Sequence, residues 1–248
     1  MPFTISHAAI VTPFTTTNNK YLSATGLIIG SMVPDFFYFI LLNPYFSLGH
    51  TWWGIFVYDI PLGIVLAFLY HNGVKQALGF YLPKFLGGRL SAFHDFNWNR
   101  YFKANSLTVI SSLILGVLTH FFLDGFTHED GYFVLLLPSL QNDTIVLGHT
   151  MKAWYLLQYL TSIAGLLVLY WYYMKMPLAD APSATLPVKT RFWATSAITA
   201  SLILIMNEIF HHIDCKGMDY LAIILGGAFY GLLISVFAFR KHTVTILS

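Results

Sequence analysis

Long apolar runs separated by short polar stretches dominate the chain. Six of them approach the ~20 residues that a helix needs to cross the hydrocarbon core of a bilayer: Leu22–Leu42, Trp52–Tyr70, Ser106–Asp124, Ala153–Tyr173, Phe192–His212 and Tyr220–Phe239. The pattern predicts an all-α, polytopic transmembrane helical bundle of about six spans, forming one integral membrane domain over residues 1–248. Short N-terminal and interfacial helices accompany it. The N-terminal one is expected to begin after Thr4 and stop before Pro13, and the surrounding MPFTISHAAIVTPF has no basic region that would make it a cleaved leader. Between the second and third spans, GVKQALGFYLPKFLGG mixes lysines with leucines and aromatics, as a helix lying in the head-group layer does. The later KMPLADAPSATLPVK, with its prolines and small residues, reads as a plain connector. The tetrapeptide LGHT stands before a span twice, at Leu48–Thr51 and Leu147–Thr150, as a repeated threonine N-cap or a trace of duplication.

Composition explains why the runs need lipid. Of 248 residues, 56% are hydrophobic and 10% charged, against about 45–50% and 25% in a soluble domain. A cytosolic enzyme, a disordered tail and a secreted disulfide scaffold are excluded. A net charge of +2 without a basic stripe argues against nucleic acid. The single cysteine, Cys215, excludes an internal disulfide and any multi-cysteine zinc site. Lysine and arginine bias sets orientation. Lys20, Lys75, Lys84, Arg89, Arg100, Lys103, Lys175, Lys189, Arg191, Arg240 and Lys241 fall on one side, leaving only Lys152 and Lys216 on the other. Both termini are therefore expected in the cytoplasm of a cell-membrane protein.

The ionisable residues of the spans are not scattered. Such groups cost a few kcal/mol each and mark sites by default. Asp35 lies seven residues before the outer end of the first span, about 10 Å deep at 1.5 Å per residue. Asp59 sits at a similar depth in the second, followed by Pro61, and is suited to accept a hydrogen bond from a neighbouring span. His120 and Asp124 occupy the outer end of the third, Glu208, His211 and His212 that of the fifth, and His50, His128, Glu129 and Asp130 lie in outer loops. In LTHFFLDGFTHEDG, His120 and Asp124 share a helix face, and the glycine after them lets His128 turn back. An imidazole and a carboxylate with a third ligand from the next turn suit a divalent ion such as zinc. Glu208 and His211 form a second pair at a known ligand spacing.

The segments MPFTISHAA, GSMVPDFFYF, HTWWGIFVYDIPLGIVLAFLYH and LGVLTHFFLDGFTHEDG resemble the uncharacterised multi-pass bacterial family called domain-of-unknown-function 4184, in order and over essentially the whole chain. More distantly, an early His, a Pro-Asp in the first span, a His-Thr opening the next and a late His-x-x-x-Asp are similar to YdjM-type inner-membrane proteins described as metal-dependent hydrolases. The ligand order of soluble zinc-dependent phospholipase C is a fainter likeness. The resemblance implies a metal held by His7, Asp35, His50, His120, Asp124 and His128. It departs from the soluble enzymes in the short spacing of Asp124 and His128. His7 falls on the cytoplasmic side by charge, so its joining Asp35 requires a half-depth helix at residues 3–12.

The expected activity is hydrolysis of an ester or phosphoester at the outer leaflet, with a metal-bound water, Glu129 or Asp130 as general base, and an amphiphilic substrate such as a lipid head group. A proton-coupled transporter using the same groups as a relay, and a non-catalytic membrane scaffold joined by hydrogen bonds between spans, remain open alternatives.

Overall fold

The computed structural model describes residues 3–15, 20–46, 48–214 and 219–240. Cys215, Lys216 and Lys241, invoked above, lie outside them. The described residues are predominantly helical. Among the described residues, five helical stretches are long and apolar enough to cross a membrane: Ile55–Tyr81, Trp98–Leu136, Ala153–Lys175, Leu186–Phe210 and Asp219–Ala238. A sixth is broken, with Ala24–Gly30 and Val33–Leu41 meeting at 44°.

Two compact units divide the chain. The first comprises Met1–Phe36, Ser47–Gly63 and Leu107–Tyr172. It opens with α1 (Ala8–Val11), flanked by 3-10 turns at Thr4–His7 and Thr12–Phe14. Helix α2 (Ala24–Gly30) is started by Ser23, whose Oγ accepts the Gly26 N–H at 3.2 Å. The Leu22–Leu42 run is not one straight span, because Pro34 has no N–H to give the preceding turn. A 3-10 turn at Val33–Asp35 intervenes before α3 (Phe36–Leu41). The second run begins in a π-helical turn at Ile55–Asp59 and continues as α4 (Ile60–Leu69).

Helix α7 (Trp98–Thr127) carries the third run and is interrupted at Asn105, where φ is −132°. Helix α2 lies against α7 with almost nothing between the backbones. A Cβ on Gly26 would stand 2.7 Å from the Val109 carbonyl oxygen, and one on Gly116 2.5 Å from that of Leu27. Small residues permit such approach where lipid supplies no hydrophobic drive between helices. After α7 come α8 (Tyr132–Leu136), α9 (Pro138–Gln141) and a hairpin of β1 (Asp143–Val146) and β2 (His149–Lys152). Leu147 and Gly148 both have positive φ, the two-residue turn that suits strand twist. Thr150 therefore pairs with Ile145 in the hairpin instead of capping a span. At the other copy of LGHT, Thr51 Oγ1 does accept the Gly54 N–H, at 3.1 Å. Helix α10 (Ala153–Lys175) follows, and its Gly165 admits Ser6, whose Cβ would be 2.8 Å from a Cβ placed there.

The second unit comprises Phe37–Phe46, Ile64–Ser106 and Tyr173–Ser248. The second run does not stop at Tyr70. A second π-helical turn (Tyr70–Val74) leads into α5 (Lys75–Tyr81), so half of the stretch expected to be a separate interfacial helix prolongs the span. Pro83 divides it from α6 (Lys84–Ser91). The connector after Lys175 has no helix until α11 (Leu186–Phe210), yet its backbone is tied down: Ala179 donates to Gly88 O and Ala184 to Phe80 O. Tyr81 stacks on Phe192 at 4.1 Å in a core shared with Ala77, Phe80 and Val236, the last from α12 (Asp219–Ala238).

Candidate metal centre

Four local structures of the first unit bring five titratable side chains together. The 3-10 turn forced by Pro34 turns Asp35 inward, where it is fully buried. Gly49 lets His50 approach: a Cβ at Gly49 would lie 2.6 Å from Pro34 O and 3.0 Å from Asp59 Oδ1. Helix α7 presents His120 and Asp124 one turn apart, and the Thr4–His7 turn supplies His7.

The ligand atoms crowd one point. His50 Nε2 lies 3.2 Å from His120 Nε2, 3.3 Å from Asp35 Oδ1 and 3.5 Å from Asp124 Oδ2. His120 Nε2 lies 3.6 Å from Asp35 Oδ1 and 3.1 Å from Asp124 Oδ2. His7 stacks on His120 at 4.2 Å and places Nε2 3.5 Å from Asp124 Oδ1. Two sets, His7–His120–Asp124 and Asp35–His50–His120, hold their ligand atoms within 4.8 Å of one another, close enough to hold a metal ion.

Neighbouring groups fix these ligands. The Nδ1–H of His120 donates to Ser31 O at 2.9 Å. In the neutral ring that leaves Nε2 with its lone pair facing the cluster. Thr4 Oγ1 donates to Asp35 Oδ2 at 2.8 Å, leaving Oδ1 for the cluster. Buried polar atoms are nearly always hydrogen-bonded, yet Asp35 Oδ1, Asp124 Oδ1, His7 Nδ1 and both oxygens of Asp59 have no hydrogen-bond partner among the described residues. Such a concentration of unsatisfied acceptors is what a cation would relieve.

The electrostatics at the rim agree. Burial opposes charge on His50, but the polar contacts to the Asp124 and Asp35 carboxylates outweigh it and push its pKa up to about 10. Burial, with the nearby His120, brings His7 down to about 4, against the attraction of Asp124 and Asp35. The cluster thus draws one positive charge to His50 and leaves His7 neutral.

The other expected site residues are placed differently. His128 is half-buried at the edge, its Nδ1 3.5 Å from Asp124 Oδ1 and 3.2 Å from the Asp124 carbonyl oxygen. Glu129 and Asp130 are exposed beyond the end of α7. Asp59 reaches no donor in a neighbouring span. In the second unit Glu208 pairs with His212, at 2.6 Å, and not with His211. Helix α11 ends at Phe210, and His211 at φ −145° has left the helical face on which an i,i+3 pair depends. Thr4 and the Ser31 carbonyl had no place in the sequence reading. The break announced by Pro34 was the one signal that a free carbonyl lay near.

The family model described as Domain of unknown function (DUF4184) matches residues 1–238. No curated protein and no solved structure matches the chain. The chain belongs to the DUF4184 family, and its apolar helices are those of an integral membrane protein.

Proposed function

We propose that this DUF4184 protein is a metal-dependent hydrolase of the membrane that cleaves an ester or phosphoester in an amphiphilic substrate such as a lipid head group. The metal is zinc, bound by Asp35, His50, His120 and Asp124, with His7 and, at the edge, His128 beside them. One observation carries the reading. Ligands arranged tetrahedrally at about 2.0–2.1 Å from zinc stand ~3.3–3.4 Å apart. The five separations given above for these four ligand atoms run from 3.1 to 3.6 Å. A hydrogen-bonded histidine pair alone has no reason to gather two carboxylates at that spacing.

The ion would lower the pKa of a bound water and polarise the ester oxygen. The chain's own groups do the rest. Asp124 Oδ1, turned away from His120, is the carboxylate oxygen nearest to hand for a proton, and His7 Nε2 and His128 Nδ1 both stand 3.5 Å from it. That assigns Asp124 the role of general base expected of Glu129 or Asp130. The lysine and arginine distribution supports cytoplasmic termini and a site facing the outer leaflet.

Elemental analysis of protein purified without chelator should find about one zinc per chain, lost in His120→Ala and Asp124→Ala. Hydrolysis of a phospholipid or a chromogenic phosphate or acyl ester should disappear with the metal. Metal-free parent protein would remove the proposal, and metal without hydrolysis would remove the activity while leaving the centre.

A further inference from the structure

The second unit contains a groove of about 390 Å³, within the ~300–1,000 Å³ range of small-molecule sites. One end is apolar, walled by Ile64, Phe68 and Val236, and the other is polar, with Asn72, Gln76 and Arg240. We propose that this groove binds an anionic phospholipid, its phosphate on Arg240 and an acyl chain along the apolar wall. The proposal is independent of the metal centre.

Three observations point to that ligand. The first is charge: Arg240 is the charged residue of the lining, and among the described residues it has no recorded ion pair. An exposed guanidinium over an apolar trough complements an amphiphile with a negative head. The second is depth. The helical stretch Ile55–Tyr81 has 27 residues, about 40 Å at 1.5 Å per residue, which matches a bilayer with its head groups. Gln76 and Asn72 then lie roughly 7 and 13 Å from that end, near the head-group boundary, while Ile64 and Phe68 lie at acyl depth. Arg240 likewise stands just past the end of α12.

The third observation is the backbone. The polar end coincides with the π-helical turn Tyr70–Val74, a costly irregularity that tends to persist at functional sites. That turn places Asn72, whose Nδ2 donates to Asn99 Oδ1 at 3.0 Å and whose own Oδ1 meets no donor among the described residues. It also places Gly73 against Val236: a Cβ there would be 3.3 Å from Val236 Cγ1, so a larger side chain would invade the trough.

Native mass spectrometry of the full-length chain, delipidated in detergent and given phosphatidylglycerol or phosphatidylcholine, tests the assignment. One phosphatidylglycerol should be retained in preference to phosphatidylcholine. Arg240→Gln should cut that retention about tenfold, the scale of one charge-assisted hydrogen bond, with a smaller loss for phosphatidylcholine, whose choline offsets the phosphate charge. Ile64→Trp, filling the trough, should lower both. Equal retention of the two lipids by the parent, or an Arg240→Gln protein that binds like it, overturns the proposal. So does displacement of phosphatidylglycerol by millimolar inorganic phosphate, which would make this a free-phosphate site.

Discussion

His120 stands between Asp35 and Asp124; His212 stands between Glu208 and Asp214. The two trios use the same chemistry in opposite ways. Both ring nitrogens of His212 face carboxylates, at 2.6 and 3.2 Å, and the trio is exposed. Its hydrogen bonds to Glu208 and Asp214 raise the His212 pKa, and with a carboxylate at each nitrogen neither lone pair faces an open site. The first trio is buried. His120 gives its Nδ1–H to a carbonyl and keeps Nε2 for the cluster, while an oxygen of each aspartate lacks a hydrogen-bond partner among the described residues. What separates the two trios is therefore the partner of the far nitrogen and access to water, since residue type is common to both.

The sharpest way to break this contrast is to truncate both histidines. His120→Ala should weaken zinc binding at least ~100-fold, beyond what loss of a supporting group costs, whereas His212→Ala should leave zinc content unchanged by elemental analysis. A loss of metal in both variants would erase the distinction.

Proton competition should also separate them. His50, raised to about 10, is protonated in the metal-free protein below that pH and must lose its proton to bind an ion, while His7, at about 4, is already neutral. Zinc affinity should consequently rise by about tenfold or more per pH unit between about pH 6 and 9, measured by competition with a chelator of known pH dependence. A flat profile would exclude His50 as a ligand. Without metal the sign reverses: a raised pKa stabilises the fold fully below the unfolded value of 6.5, and the benefit is lost as pH climbs through about 10.

Supporting contacts should matter less. Thr4→Val removes the hydroxyl that holds Asp35 Oδ2 and should reduce zinc affinity about tenfold, the lower end for such partners. Gly49→Ala forces a Cβ against Pro34 O and should lower thermal stability by roughly 1–3 kcal/mol. Gly148→Ala, in the exposed hairpin turn with nothing within 4 Å, meets only the strain of φ +82° and should cost about 1 kcal/mol.

The spans and much of the cluster were legible because hydropathy and helical spacing are local. Asp35 and Asp124 stand out against apolar neighbours, and four residues put His120 and Asp124 on one face whatever surrounds them. The contact of His120 with Ser31 is a different matter. It depends on α2 and α7 approaching through Gly26 and Gly116, which a hydropathy pattern registers only as small residues. Glu208 was read with the wrong partner because spacing assumes a helix that continues, and α11 stops at Phe210. The hairpin was missed because residues 143–152 are few and polar at the ends, and its turn depends on Leu147 taking a φ of +51° that leucine rarely adopts.

The break at Pro34 has a consequence for biogenesis. The carbonyl that orients His120 belongs to Ser31, 89 residues earlier in the chain. A ribosome therefore delivers the acceptor long before the imidazole exists, so the contact can form only after the third run has been made. The cluster is therefore closed late: its side chains come from Asp35, His50, His120 and Asp124, and it cannot assemble before α7 has entered the membrane.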